Sequence, residues 1–168
     1  MIRIILRNII RFISLLFLQV FIFDNIRIGG YMTPYIYILF IILLPFNIQG
    51  WLLLVSSFFL GFFIDIFYNT LGMHTAACVF IAFFRPVILK IFAPRDGYES
   101  GTFPRIFYYG TEWFLKYSLS LVFIHHLILF SIEVFSITGF HHIILRTILS
   151  TVLTTLIVVV SQFFIYRR

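Results

Sequence analysis

The residues in this sequence with chemistry to offer are the ionisable side chains that interrupt its apolar runs. Asp65 is the sharpest, in Gly61-Phe-Phe-Ile-Asp65-Ile-Phe-Tyr-Asn69-Thr-Leu-Gly72-Met-His74. On a helix Gly61, Asp65 and Asn69 recur every fourth residue and share one face. A glycine on that face lets a neighbouring helix approach closely. His74 falls in the first turn of the next helix, placed to pair with Asp65 across the hairpin. Two chemistries follow for Asp65. It is either a contact for a ligand, a proton or a partner, or a clasp bonded to the free amides that open the following helix.

A second group of polar residues comprises Arg85, His126 and Glu133. Arg85 precedes Pro86 late in its run and lies three turns from His74, on the same face. Close to a membrane surface, it reads as a snorkelling side chain. His125 and His126 are adjacent and diverge by roughly 100°, so the two do not chelate one ion. His126 and Glu133 share a face but stand two turns apart, roughly 10 Å. Glu133 could gather with His141 and His142 at the rim, yet no HExxH and no cysteine pair supports zinc. No nucleophile–base pattern, phosphate loop or Walker motif occurs. Asp96 and Glu99, the one near acidic pair, read as solvated loop. No enzyme activity, metal or cofactor is expected.

The elements that position these residues follow from composition. Of 168 residues 62% are hydrophobic and only 11% charged. A soluble domain carries about 25% charged residues, so so few charges cannot cover a water-exposed surface. The net charge of +6 therefore bears on orientation in a membrane, not on nucleic acid, for which no partner role is expected. The lone Cys78 excludes a disulfide framework. Spans are expected at about 5–23, 34–47, 51–68, 71–92, 112–135 and 143–166, with a polar loop at 93–111 in a single integral domain. The first is basic at its start (Arg3, Arg7, Arg11) but lacks a small-x-small site, so it reads as an uncleaved span. Pro34 opens the second, where a first-turn proline costs little. The expected fold is an all-α polytopic membrane protein, a compact bundle of six transmembrane helices, or five if the short second segment is re-entrant. Arg3, Arg7, Arg11, Lys90, Arg95, Arg105, Arg167 and Arg168 fall on one side of that topology and Arg27 and Arg146 on the other. Both termini are accordingly expected in the cytoplasm.

The order of features from about 33 to 90 resembles MreD, the bacterial rod shape-determining membrane protein family. The resemblance rests on Pro34, Pro45, the Gly50-Trp51 turn, Gly61-x-x-x-Asp65, the short linker and Gly72-x-His74. It covers about a third of the chain; the remainder is similar only in hydropathy, and the bulky Ile66-Phe67-Tyr68 departs from the family's small residues. The resemblance implies a non-catalytic scaffold in the inner membrane. Its partners would be a bitopic MreC-like protein and an elongation complex with MreB, a RodA-type polymerase and a transpeptidase, besides membrane lipid. It carries over no catalytic residue; Gly61, Asp65, Asn69, Gly72 and His74 would shape a hairpin for partner binding. MreD resembles in fold the substrate-binding S components of energy-coupling-factor transporters, so a solute-binding component is the alternative. The first span lacks the Ala-x-x-x-Ala face usual in S components, and Asp65, Asn69 and His74 alone make a thin pocket. A channel would need Asp65, Arg85 and His126 to line one path.

Overall fold

The computed structural model describes residues 2–26, 32–99, 101–134 and 140–165. Arg27, Arg167 and Arg168, which enter the charge expectations above, lie outside the described residues. Six α-helices form among those described: α1 Ile2–Phe21, α2 Leu39–Ile42, α3 Gly50–Tyr68, α4 Met73–Ile91, α5 Ile106–Val134 and α6 Phe140–Ile165. No β-strand forms among them. All except α2 are long and apolar enough to cross a membrane. The chain is an all-helical polytopic bundle. Helices α3 to α6 pack in sequence order as antiparallel neighbours.

The second predicted span is not a lipid-facing helix. Residues 36–38 form a 3₁₀ turn that runs into the four-residue α2. Pro34 precedes this turn instead of lying inside its first turn. Every residue from Thr33 to Leu44 is buried. The segment runs antiparallel to α1: Gln19 meets Pro34 and Ile36, whereas Arg11 meets Leu43. It therefore passes from one end of the bundle to the other through its centre, and of the two alternatives it does not turn back. Phe12 of α1 packs edge-on against Phe40 at 5.2 Å. The outer helices leave their other faces apolar and exposed, among them Phe58, Phe62, Phe83, Val152 and Leu156.

Each end of the bundle has its own character. At the hairpin end, α3 stops at Asn69 in the left-handed conformation (φ 53°), and Gly72 (φ 83°) starts α4. At the opposite, loop end, an aromatic cluster closes the structure. Phe46 stacks on Tyr98 at 4.2 Å and Trp113 on Tyr117 at 5.1 Å. The Trp113 indole donates to Phe92 O (2.8 Å) and the Tyr98 hydroxyl to Leu89 O (2.7 Å). Burial pushes the Tyr98 hydroxyl up to about 12, so it remains a neutral donor. The polar loop is shorter than expected, because α5 begins at Ile106 and bends at Gly110 (φ 80°, ψ 167°).

Candidate functional site

The α3–α4 hairpin holds the residues singled out by spacing. A Cβ built on Gly61 would lie 2.4 Å from Thr75 Cα and 2.7 Å from His74 O. The two helices thus touch backbone to backbone at this glycine, as small-residue packing in membranes allows. One turn on, the buried Asp65 carboxylate accepts four hydrogen bonds. Thr70 Oγ1 (2.5 Å) and the His74 amide (3.0 Å) donate to Oδ1. The Thr75 amide (2.8 Å) and its Oγ1 (2.5 Å) donate to Oδ2. Asp65 thus satisfies orphan amides at the N-terminus of α4, where the helix dipole also favours an anion. Asn69 supplies the left-handed residue that turns the chain, and its amide bonds to Asp65 O.

His74 does not pair with Asp65 through its ring, as spacing suggested; only its amide does. Its Nδ1 lies 2.7 Å from the Tyr37 hydroxyl, which lies 2.9 Å from His125 Nε2. One hydroxyl has a single proton to donate, so one of these two rings must donate to the Tyr37 oxygen. His125 Nδ1 is buried with no partner. His126, the neighbour, faces elsewhere: its Nδ1 is 2.7 Å from Val122 O, and its Nε2 is 3.5 Å from Thr154 Oγ1. The rings of Tyr35, His74, His125 and His126 form one aromatic group, with Tyr35–His126 centroids 5.4 Å apart. No group of three metal-ligating side chains with suitable geometry occurs among the described residues.

The second set of predicted residues is not brought together. Arg85 turns inward and is 1% exposed, which corrects the snorkelling expectation. Its Nε donates to the Tyr117 hydroxyl (2.8 Å), and its Nη atoms donate to Leu44 O and Pro45 O. The cause is a stronger demand from within. Carbonyls released where α2 ends have no water to bond, and a guanidinium offers several donors in a fixed fork. Glu133 instead accepts from Arg146 Nη1 at 2.8 Å with each carboxylate oxygen. Asp65, Arg85 and His126 therefore sit in separate neighbourhoods and line no common path.

Sequence reasoning missed the residues that hold the central segment. Gln19 accepts from the Ile36 amide (2.7 Å) and donates to Pro34 O (3.2 Å) and the Tyr68 hydroxyl (3.0 Å). Ser150 and Thr154 of α6 accept from the amides of Thr33 (3.3 Å) and Tyr35 (3.1 Å). Tyr117 donates to Ile42 O (3.1 Å) and Arg11 to Leu43 O (3.0 Å). The available signal was Gln19, isolated in the apolar part of α1; Ser150 and Thr154 stand among Thr147, Thr151 and Thr155 and carried no such signal. At the hairpin end a cavity of about 330 Å³ is lined by Asp24, Tyr35, Tyr68, His74, Glu133 and Arg146, among others. Of the spacing-derived hairpin residues only His74 reaches it. No family model matches the chain, and neither a curated protein nor a solved structure does.

Proposed function

We propose that this chain is a non-catalytic scaffold of the bacterial inner membrane, similar to MreD, that binds a bitopic MreC-like partner by helix packing. The observation that carries the reading is the form of the α3–α4 hairpin. Gly61 contact and the Asp65 clasp make it rigid, and its outward face is a ridge of exposed Phe58, Phe59, Phe62, Phe63 and Phe67. A preorganised apolar ridge is suited to lateral packing of a single transmembrane helix, since little conformational freedom remains to be lost on association. In this reading the loop end, with Arg7, Arg11, Lys90, Arg95 and Arg105, faces the cytoplasm by the positive-inside rule. The elongation complex would then assemble around the hairpin from both sides of the membrane.

The hairpin-end cavity favours a second reading, a solute-binding membrane component. Its convergent acidic, basic and aromatic groups go beyond what Asp65, Asn69 and His74 alone would provide. One experiment separates the two. Tagged protein is purified from its native membranes in mild detergent, and stoichiometric partners are identified by mass spectrometry. The scaffold reading expects a bitopic coiled-coil protein together with peptidoglycan synthases. Recovery of ATPase subunits with a coupling protein would reject it. Asp65→Asn adds a control: because the carboxylate is fully engaged inside the hairpin, variant protein that still folds is expected to retain its partner.

A further inference from the structure

At the loop end, three arginines converge without a counter-charge among the described residues. Arg7 and Arg11 lie on α1 and Arg105 immediately precedes α5, close enough for mutual repulsion. Two ion pairs form among the described residues, Lys116–Glu112 and Arg146–Glu133, and neither involves these arginines. Arg11 is engaged with Leu43 O and with Asn8 Oδ1 at 3.3 Å. Arg7 and Arg105 are not so provided. Nε and Nη2 of Arg7 and Nε of Arg105 are buried N–H donors with no acceptor among the described residues. Burial and the neighbouring Arg7 also hold the Arg105 guanidinium below its ordinary range.

A buried donor on a charged group is costly to leave unpaired, and two such groups repelling each other compound the cost. The remedy chemistry offers is an anion with several acceptor oxygens that bridges both guanidinium groups, as phosphate does. Arg7 is already positioned for this. Its guanidinium carbon lies 4.3 Å from the centroid of the Phe103 ring, a cation–π contact that fixes the head group.

Phe103 has a second role. It is also a wall of an apolar cavity of about 460 Å³, with Ile4, Ile5, Phe46, Ile48 and Leu52. The unpaired cations and the apolar cavity are thus contiguous through one ring, and both lie at the end of spanning helices. A free phosphate would use the cations and leave the cavity without purpose; an apolar ligand would do the reverse. From this contiguity we infer that the loop end is a binding site for an anionic phospholipid. Its phosphate bridges Arg7 and Arg105, and an acyl chain occupies the cavity beside Phe103.

The test uses the full chain in mild detergent, with dioleoylphosphatidylglycerol and dioleoylphosphatidylcholine as probes of equal chain length. Native mass spectrometry counts retained lipid. Wild-type protein is expected to retain the anionic lipid in preference to the zwitterionic one. The combined Arg7→Gln and Arg105→Gln variant should lose about 30-fold of that affinity, and Lys116→Gln, at an exposed helical pair, should lose none. Equal retention of both lipids, or equal loss in the Lys116→Gln control, would overturn the assignment. Should the double variant not fold, wild type alone decides. Phosphatidylglycerol must raise its unfolding midpoint above that in phosphatidylcholine, and 1 M salt, at a screening length of about 3 Å, must reduce the difference. Equal midpoints in the two lipids reject the site. Inorganic phosphate that reproduces the whole effect of the lipid would place a free ion there and reject the lipid.

Discussion

Two glycines flank the hairpin turn, and they are there for different physical reasons. Gly61 has no space for a Cβ, because Thr75 backbone atoms lie at 2.4 and 2.6 Å from where it would be. Gly72 has open space around it but sits at φ 83°. Gly61→Ala must push α4 away from α3 and so lengthen the Thr75 bonds to Asp65; an expected cost is about 3 kcal/mol, at the upper end for overpacking. Gly72→Ala meets only backbone strain, about 1 kcal/mol. Reversible unfolding of each variant by denaturing detergent in micelles measures both. A larger cost at Gly72 than at Gly61 would contradict the close-packed hairpin. Spacing alone brought Gly61 and Asp65 to one face. It did not reveal Thr70 and Thr75 as donors, since which hydroxyls reach the carboxylate depends on the left-handed turn at Asn69. For the same reason it paired His74 with Asp65 by its ring, when the Tyr37 hydroxyl is the ring's partner.

At the level of elements, the segment from 33 to 45 draws a polar side chain from each of α1, α4, α5 and α6. A continuous helix satisfies its own backbone, whereas this segment is 3₁₀, briefly α, then turns at Leu43 and bends at Leu44. Non-helical backbone at membrane depth persists only when protein groups satisfy it. Gln19, Ser150 and Thr154 serve its beginning, and Tyr117, Arg11 and Arg85 its end. Its apolar run was legible, but a run of apolar residues is the same for a lipid-facing helix and for a strip buried on all sides. The distinguishing evidence lay elsewhere in the chain, in polar residues spaced far apart in sequence, and no local pattern links them. Arg85→Met tests the dependence. It strips Leu44 O and Pro45 O of their donors and leaves the Tyr117 hydroxyl without its guanidinium partner. The expected loss is about 1–3 kcal/mol, the cost of leaving buried neutral acceptors without a donor. Arg85→Lys is expected to recover only part of it, because an ammonium lacks the planar fork. Unfolding measurements that find Arg85→Met as stable as wild type would show that the carbonyls have other donors.

For the whole molecule, the path of that segment decides how many times the chain passes between the two ends, and hence where each connection lies. A segment passing through the centre puts residues 46–49 at the same end as the 92–105 connection, with the hairpin tip at the other. The contacts support this path, since Phe46 stacks on Tyr98 while Tyr37 reaches His74. A re-entrant segment would instead return residues 46–49 to the side of residues 22–26 and reverse every later helix, the hairpin tip with them. Cysteine labelling distinguishes the two. The lone Cys78 is buried, so a Cys78→Ala background is expected to fold and to be silent to a membrane-impermeant maleimide. In that background, Gln49→Cys and Gly97→Cys, both at exposed positions, are expected to react from one side of the membrane. Leu71→Cys, at a fully exposed tip, and Ile26→Cys, at an exposed position ahead of the central segment, should react only from the opposite side. Labelling of Ile26→Cys and Gln49→Cys from a common side would refute the central passage. It would also remove the reason for Arg11 and Arg85 to converge on carbonyls 43–45. With the passage intact, that convergence explains why two arginines lie within the membrane-spanning bundle with no carboxylate beside either: their partners are backbone oxygens of a segment that cannot satisfy itself.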